Sequence, residues 1–118
     1  MTVIINGTVD FNPADAAVVL QQTADLMAQT RAQKGCHHYV WSLDPAVPGR
    51  VYVYENWQSV EDLAAHLSGH FYTDMLARIS QYEILGTDIL KYRIDHEEPV
   101  YDETGTPRAD FFTTQTNP

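Results

Sequence analysis

Five histidines, a single cysteine and a carboxylate two residues from a tryptophan are the side chains here whose types could support chemistry. His66 and His70 stand four apart, a spacing that on an unbroken helix sets both imidazoles on one face, as in some zinc sites. Gly69 interrupts the segment between them and no third ligand sits at a telling distance, so capping, exposure and the lining of an organic-ligand pocket compete with metal binding. His37 and His38 are adjacent in a strand-prone run, face opposite ways, and cannot act as a local pair. Glu55 and Trp57 share one strand face, with Asn56 on the other. Packing of the indole, with the carboxylate bonded to a neighbouring element, outranks catalysis there, because large aromatics usually fill core. Asn6 is an amide in an otherwise apolar strand and is costly unless hydrogen-bonded, so it either holds a neighbour's backbone or faces a cavity. A phosphate-binding glycine loop, paired cysteines, a nucleophile elbow and a dinucleotide fingerprint are all missing from the sequence.

The elements that must position these residues are legible from periodicity. Thr2 to Asp10 is β-branched and reads as a strand with Ile4, Asn6 and Thr8 on one face. Asn12 and Pro13 then suit the N-cap and first position of a helix whose stripe is Ala16, Leu20, Ala24, Met27 and Ala28, with Gly35 as its stop. Cys36 to Leu43 and Arg50 to Trp57 form two strands joined by a segment with two prolines and a glycine. Ser59 and Asp62 resemble the cap of a second helix, Gly69 breaks or kinks that helix, and Phe71, Met75, Ile79 and Tyr82 recur at helical spacing. Ile84 to Ile94 returns to strand. The order βαββαβ predicts an α+β ferredoxin-like fold with an antiparallel sheet and both crossovers on one face. Tyr39, Trp41 and Leu43 back against Val40, and Tyr52 and Tyr54 against Val51, Val53 and Trp57. Strands apolar on both faces need a second cover, which predicts a second subunit. Residues 1–95 are read as one domain and 96–118 as a tail, either loose or packed on the partner.

Composition narrows the classes. At 118 residues with 44% hydrophobic residues the chain suits one domain with a core. A formal net charge of −9, with seven basic residues against sixteen acidic, gives nothing to neutralise a row of phosphates, so nucleic acid is not an expected partner. The N-terminal apolar run is too short for a signal segment or membrane span, so no membrane partner and a cytoplasmic location are expected. Cys36 has no partner for an internal disulfide and is expected as a buried core thiol.

Gly35-Cys36, Tyr39, the Pro48-Gly49 turn, Glu55-x-Trp57, and Ala65-His66-Leu67 followed by His70-Phe71 together resemble the antibiotic biosynthesis monooxygenase family over residues 2 to 94. The resemblance implies a homodimeric α+β barrel formed face to face through the sheets. It also implies oxidation of a small aromatic substrate (a quinol, anthrone or polyphenol) by O2 with no metal or flavin cofactor, in a pocket between sheet and helices. Asn6 would then donate to a substrate or peroxide oxygen, and His66 or His70 would act as base or anion stabiliser. Trp57, Phe71, Tyr72 and Tyr39 would line or back the cavity. A haem-degrading branch of the superfamily has a first-strand asparagine that Asn6 matches, but places tryptophan where His66 stands and its axial histidine where Leu76 stands, so this chain departs from that pattern. The rival reading is a non-catalytic dimer of the same fold that binds a small ligand.

Overall fold

The computed structural model describes residues 1–113, so part of the expected tail lies outside the described residues. Four strands form one antiparallel sheet in the order β2-β3-β1-β4: β1 (Thr2–Phe11), β2 (Cys36–Leu43), β3 (Arg50–Trp57) and β4 (Ile84–Ile94). Helix α1 (Ala16–Arg31) makes the first crossover, and α2 (Val60–Leu67) with α3 (His70–Ile79) makes the second. The fold is the α+β ferredoxin-like arrangement, with the second crossover helix split at Gly69. No described helix is long and apolar enough to cross a membrane.

Each element has a local cause. The helix α1 starts later than Asn12-Pro13 suggests, because the Asn12 side chain accepts from Ala14 N–H at 3.2 Å and its carbonyl from Asp15 N–H at 2.8 Å. That closed turn delays the first helical residue to Ala16. At its other end the helix stops at Arg31, and Gly35, with φ of 78°, serves the entry to β2 instead. The buried stripe is Ala16, Val19, Thr23, Leu26, Met27 and Thr30, while Ala24 and Ala28 face water. Alanine has little to bury, and Thr23 tolerates the interior because its hydroxyl donates to the Val19 carbonyl at 2.8 Å. The expected cap of α2 forms: Ser59 Oγ accepts from Asp62 N–H at 3.1 Å. In the middle of β1, a Cβ on Gly7 would lie 1.9 Å from the Asp88 carbonyl oxygen, so close pairing with β4 requires glycine.

Alternation sorts the sheet into two unlike faces. Val3, Val9, Phe11, Tyr39, Val51, Val53 and Trp57 are buried beneath the helices with Leu63, Met75 and Ile79. The opposite face leaves Val40, Tyr52, Tyr54, Leu90 and Tyr92 exposed, from 37% to 58%. One expectation needs correction here. Cys36, on an edge strand, is half-buried rather than a core thiol. His37 and His38 are both exposed, beside a register shift between Cys36 and His38.

Beyond β4, Tyr101 bridges to Pro107 and the Glu98 carboxylate gathers the chain. It accepts from the backbone N–H groups of Phe112 and Thr113 at 2.9 and 3.0 Å and contacts His96 Nε2 at 2.9 Å. Desolvation is the largest single effect on its pKa and acts upward, but these hydrogen bonds together outweigh it and hold the value at about 2. Residues 96–113 are thus tied together locally by the Glu98 carboxylate and the Tyr101–Pro107 bridge.

Candidate active site

A cavity of about 300 Å³ lies between the sheet and the α2–α3 crossover. Tyr39, Trp41, Glu55 and Thr87 supply its polar groups from the sheet, and His66 and Tyr72 from the helices. Apolar side chains of β1, β3, α2, α3 and β4, with Ile84, Met75 and Leu76 among them, make the remaining wall. No lysine or arginine lines it among the described residues.

His66 is 2% exposed and sits in the last turn of α2. Its ring stacks on Trp57 with centroids 4.7 Å apart, and meets the rings of Tyr39 and Tyr72 edgewise at 5.8 and 5.9 Å. Nδ1 lies 2.7 Å from Gln33 Oε1, and with the amide oxygen as acceptor Nδ1 carries the proton. The lone pair is then on Nε2. Burial lowers the imidazole pKa below its ordinary value of 6.5, so the ring is neutral at physiological pH.

Glu55 faces the same cavity from β3 and is 9% exposed. Trp57 and Glu55 share a face two residues apart, and the indole Nε1–H donates to Glu55 Oε1 at 2.9 Å. Burial pushes the carboxyl pKa above 4.5 and outweighs the opposing effect of that hydrogen bond. Tyr39, 4% exposed, lies opposite Glu55 in the β2–β3 register. Burial first and the nearby Glu55 second raise its phenol well above the usual tyrosine value. Trp41 Nε1 is buried beside the Tyr39 hydroxyl, without hydrogen-bond geometry to it or to any other described group. The polar end of the cavity therefore gathers the Glu55 carboxyl, the Tyr39 and Tyr72 hydroxyls and the Trp41 N–H around the His66 imidazole, in a chamber lined by no lysine or arginine among the described residues.

Of the residues singled out from sequence, Tyr39, His66 and Tyr72 converge on the cavity and Trp57 backs it through the stack on His66. His70 does not join them. With Gly69 ending one helix and opening the next, the His70 side chain is 73% exposed and pairs with Asp74 at 3.3 Å. Phe71 packs half-buried beside His70, with ring centroids 4.2 Å apart. Asn6 lies on the open face, opposite Tyr54 on β3 and Leu90 on β4, because odd-numbered β1 residues take the helix side. Glu55, read from sequence as a packing partner, proves to be a cavity carboxyl as well. Its i, i+2 relation to Trp57 was the available signal. Gln33 and Trp41 carry no such mark, since each acts only through a contact made by the fold.

Known proteins agree with this architecture. The family model described as antibiotic biosynthesis monooxygenase matches residues 2–78. A Deinococcus radiodurans protein bearing the same family name superposes with a TM-score of 0.74 at 24% identity, over 82% of this chain and 96% of that one. A Caulobacter crescentus CB15 protein of that family name gives 0.72 at 21%, over 82% and 91%. A conserved protein of Methanosarcina mazei Go1 gives 0.71 at 17%, over 79% and 92%. At these identities the structural likeness establishes the fold alone. No curated protein matches the chain.

Proposed function

The chain belongs to the antibiotic biosynthesis monooxygenase family, and from that premise and the cavity we propose a cofactor-independent monooxygenase that oxidises a small aromatic, quinol-like substrate with O2. The observation that carries the reading is His66: a neutral imidazole, its Nδ1–H oriented by Gln33, in the wall of a mostly apolar chamber. A base of that kind removes the proton of a ring hydroxyl through Nε2. The resulting phenolate is electron-rich enough to reduce O2 by one electron, and recombination forms the carbon–oxygen bond of a hydroperoxide. Where the attacked carbon began as CH2, loss of water leaves a ketone. One oxygen atom enters the product, the other leaves as water, and the substrate supplies all four electrons. The protein's share is orientation, anion stabilisation by O–H and N–H donors, and exclusion of bulk water.

Oxygen uptake with hydroquinones, catechols and anthrones tests the reading. At least one ring is expected to be consumed with stoichiometric oxygen at a rate above the buffer blank. If such rings bind the cavity and none is oxidised, the protein is a small-ligand carrier of the same fold.

We propose in addition that the open sheet face is covered by a second copy. Its exposed Val40, Tyr52, Tyr54, Leu90 and Tyr92 form an apolar surface whose burial is worth about 25 cal/mol per Å². Sedimentation at micromolar concentration is expected to give twice the chain mass of 13.4 kDa. A monomeric mass rejects the dimer.

A further inference from the structure

β4 is an edge strand, and every residue from Ile84 to Arg93 is exposed. Its register with β1 puts Ile89, Lys91 and Arg93 on the helix side, where α2 runs alongside with Val60, Leu63 and Leu67 at helical spacing. The two elements flank a trough. Val60, Leu63, Lys91 and Arg93 meet at one end, and Leu67 and Ile89 form part of the cavity rim at the other. Val60 and Leu67 are 54% and 44% exposed. Of the seven basic residues, Arg31, Arg50, Arg78 and Arg108 bond to a carbonyl or carboxylate of this chain. Lys91 and Arg93, together in the trough, have no hydrogen-bond or ion-pair partner among the described residues.

Residues 96–113 have the opposite character, with five acidic residues against the single Arg108. Glu98, Asp102 and Asp110 are engaged within the segment, while Glu97 and Glu103 are exposed and without a partner among the described residues. Val100 and Tyr101 beside them are 61% and 62% exposed. The segment does not lie on its own domain. The hydrogen bonds of Glu98, Asp102 and Arg108 all close inside it, and the radius of gyration is 16.9 Å, where a compact chain of this length has about 13–14 Å. To reach Lys91 of its own strand the chain would have to reverse at once, yet His96 to Pro99 contains no hydrogen-bonded turn.

We propose that residues 96–113 are an arm that docks into the α2–β4 trough of a second copy, with Glu97 and Glu103 facing Lys91 and Arg93 and with Val100 and Tyr101 on the apolar wall. The inference rests on the second copy proposed above for the open sheet face and says what reaches beyond that face. Because β4 is an edge strand, an arm from the open side has one strand to pass. Four residues span up to about 14 Å, more than the roughly 10 Å between packed sheets. Local ties at Glu98 and Asp102 shape the arm before it docks and reduce the ordering cost of binding. The family model ends at residue 78, so the arm is a feature of this chain outside the matched region.

The test is sedimentation of the full chain over a concentration series, with charges reversed on each side in turn. Lys91→Glu with Arg93→Glu is expected to raise the dimer dissociation constant about 10- to 100-fold, and Glu97→Lys with Glu103→Lys to do the same. The arm reversal is the sharper of the two. It brings the net charge of −9 toward zero, so general repulsion alone would strengthen association. All four substitutions together exchange the signs and should recover most of the wild-type affinity. Zero-length carbodiimide coupling, applied to dimers that native mass spectrometry shows to combine nitrogen-15-labelled and unlabelled chains, is expected to join Lys91 of one label to Glu97 or Glu103 of the other. A wild type that sediments as a monomer removes the sheet dimer and the arm contact together. A wild-type dimer whose dissociation constant neither reversal raises, or that the fourfold exchange fails to restore, overturns the arm contact and leaves the sheet dimer standing. Coupling found only within one label overturns it too, by placing the arm on its own chain.

Discussion

Replacing His66 with glutamine is expected to lower oxygen uptake on a responsive quinol by a factor of about 10² to 10⁴ and to abolish its low-pH limb. The imidazole is the only neutral nitrogen base among the described residues of the cavity wall, and Gln33 fixes which nitrogen bears the lone pair. In the wild type the rate should rise with pH through a pKa below 6.5, because burial disfavours the imidazolium, and should be level by neutrality. Glutamine holds a comparable volume against Trp57 but cannot accept the proton. A variant that keeps the wild-type rate and pH profile would remove His66 from the chemistry.

The same displaced pKa values give the pH dependence of stability opposite signs at the two groups. In the unfolded chain His66 returns to about 6.5, so as pH falls below that value the unfolded state takes up the proton first and stability drops until the folded pKa is passed. Glu55 works the other way. Its folded pKa is raised from 4.5, so its contribution is complete below that value and is lost as pH rises through the folded pKa.

The strands were legible because β-branched and aromatic runs bounded by proline and glycine admit little else, and β2 and β3 have the limits their sequences suggest. The inner stripe of α1 was less so: Ala24 and Ala28 satisfy a helical period as well as Thr23 and Thr30 do, and only contact with β2 and α3 selects between them. His66 stood out by type, but its separation from His70 depends on how sharply the chain turns at Gly69, which spacing does not encode. Asn6 shows the same limit. Its amide marks an anomaly in an apolar strand, yet which face it takes is set by the register that puts Ile5 and Val9 under the helices. Glu55 was concealed by its own good packing, since a carboxyl bonded to an indole reads as structural until the free oxygen is seen to face a cavity.

Trp57 is the residue on which that cavity's shape depends, and Trp57→Ala is expected to cost about 3–5 kcal/mol, lowering the melting temperature by on the order of 10–20 °C. It is among the largest fully buried side chains, with 0% exposure, and forms the stacking surface for His66 as well as the only N–H donor to Glu55 among the described residues. Trp57→Phe separates these roles. It keeps an aromatic ring under His66 and removes the N–H, leaving Glu55 Oε1 without a donor at a cost of about 1–2 kcal/mol. Because that hydrogen bond opposes the effect of burial, the Glu55 carboxyl should move still higher in Trp57→Phe, which carbon-13 titration of the labelled glutamate carboxyl can follow. A Glu55 titration unchanged by the loss of the indole N–H would mean that the pair is not formed in solution.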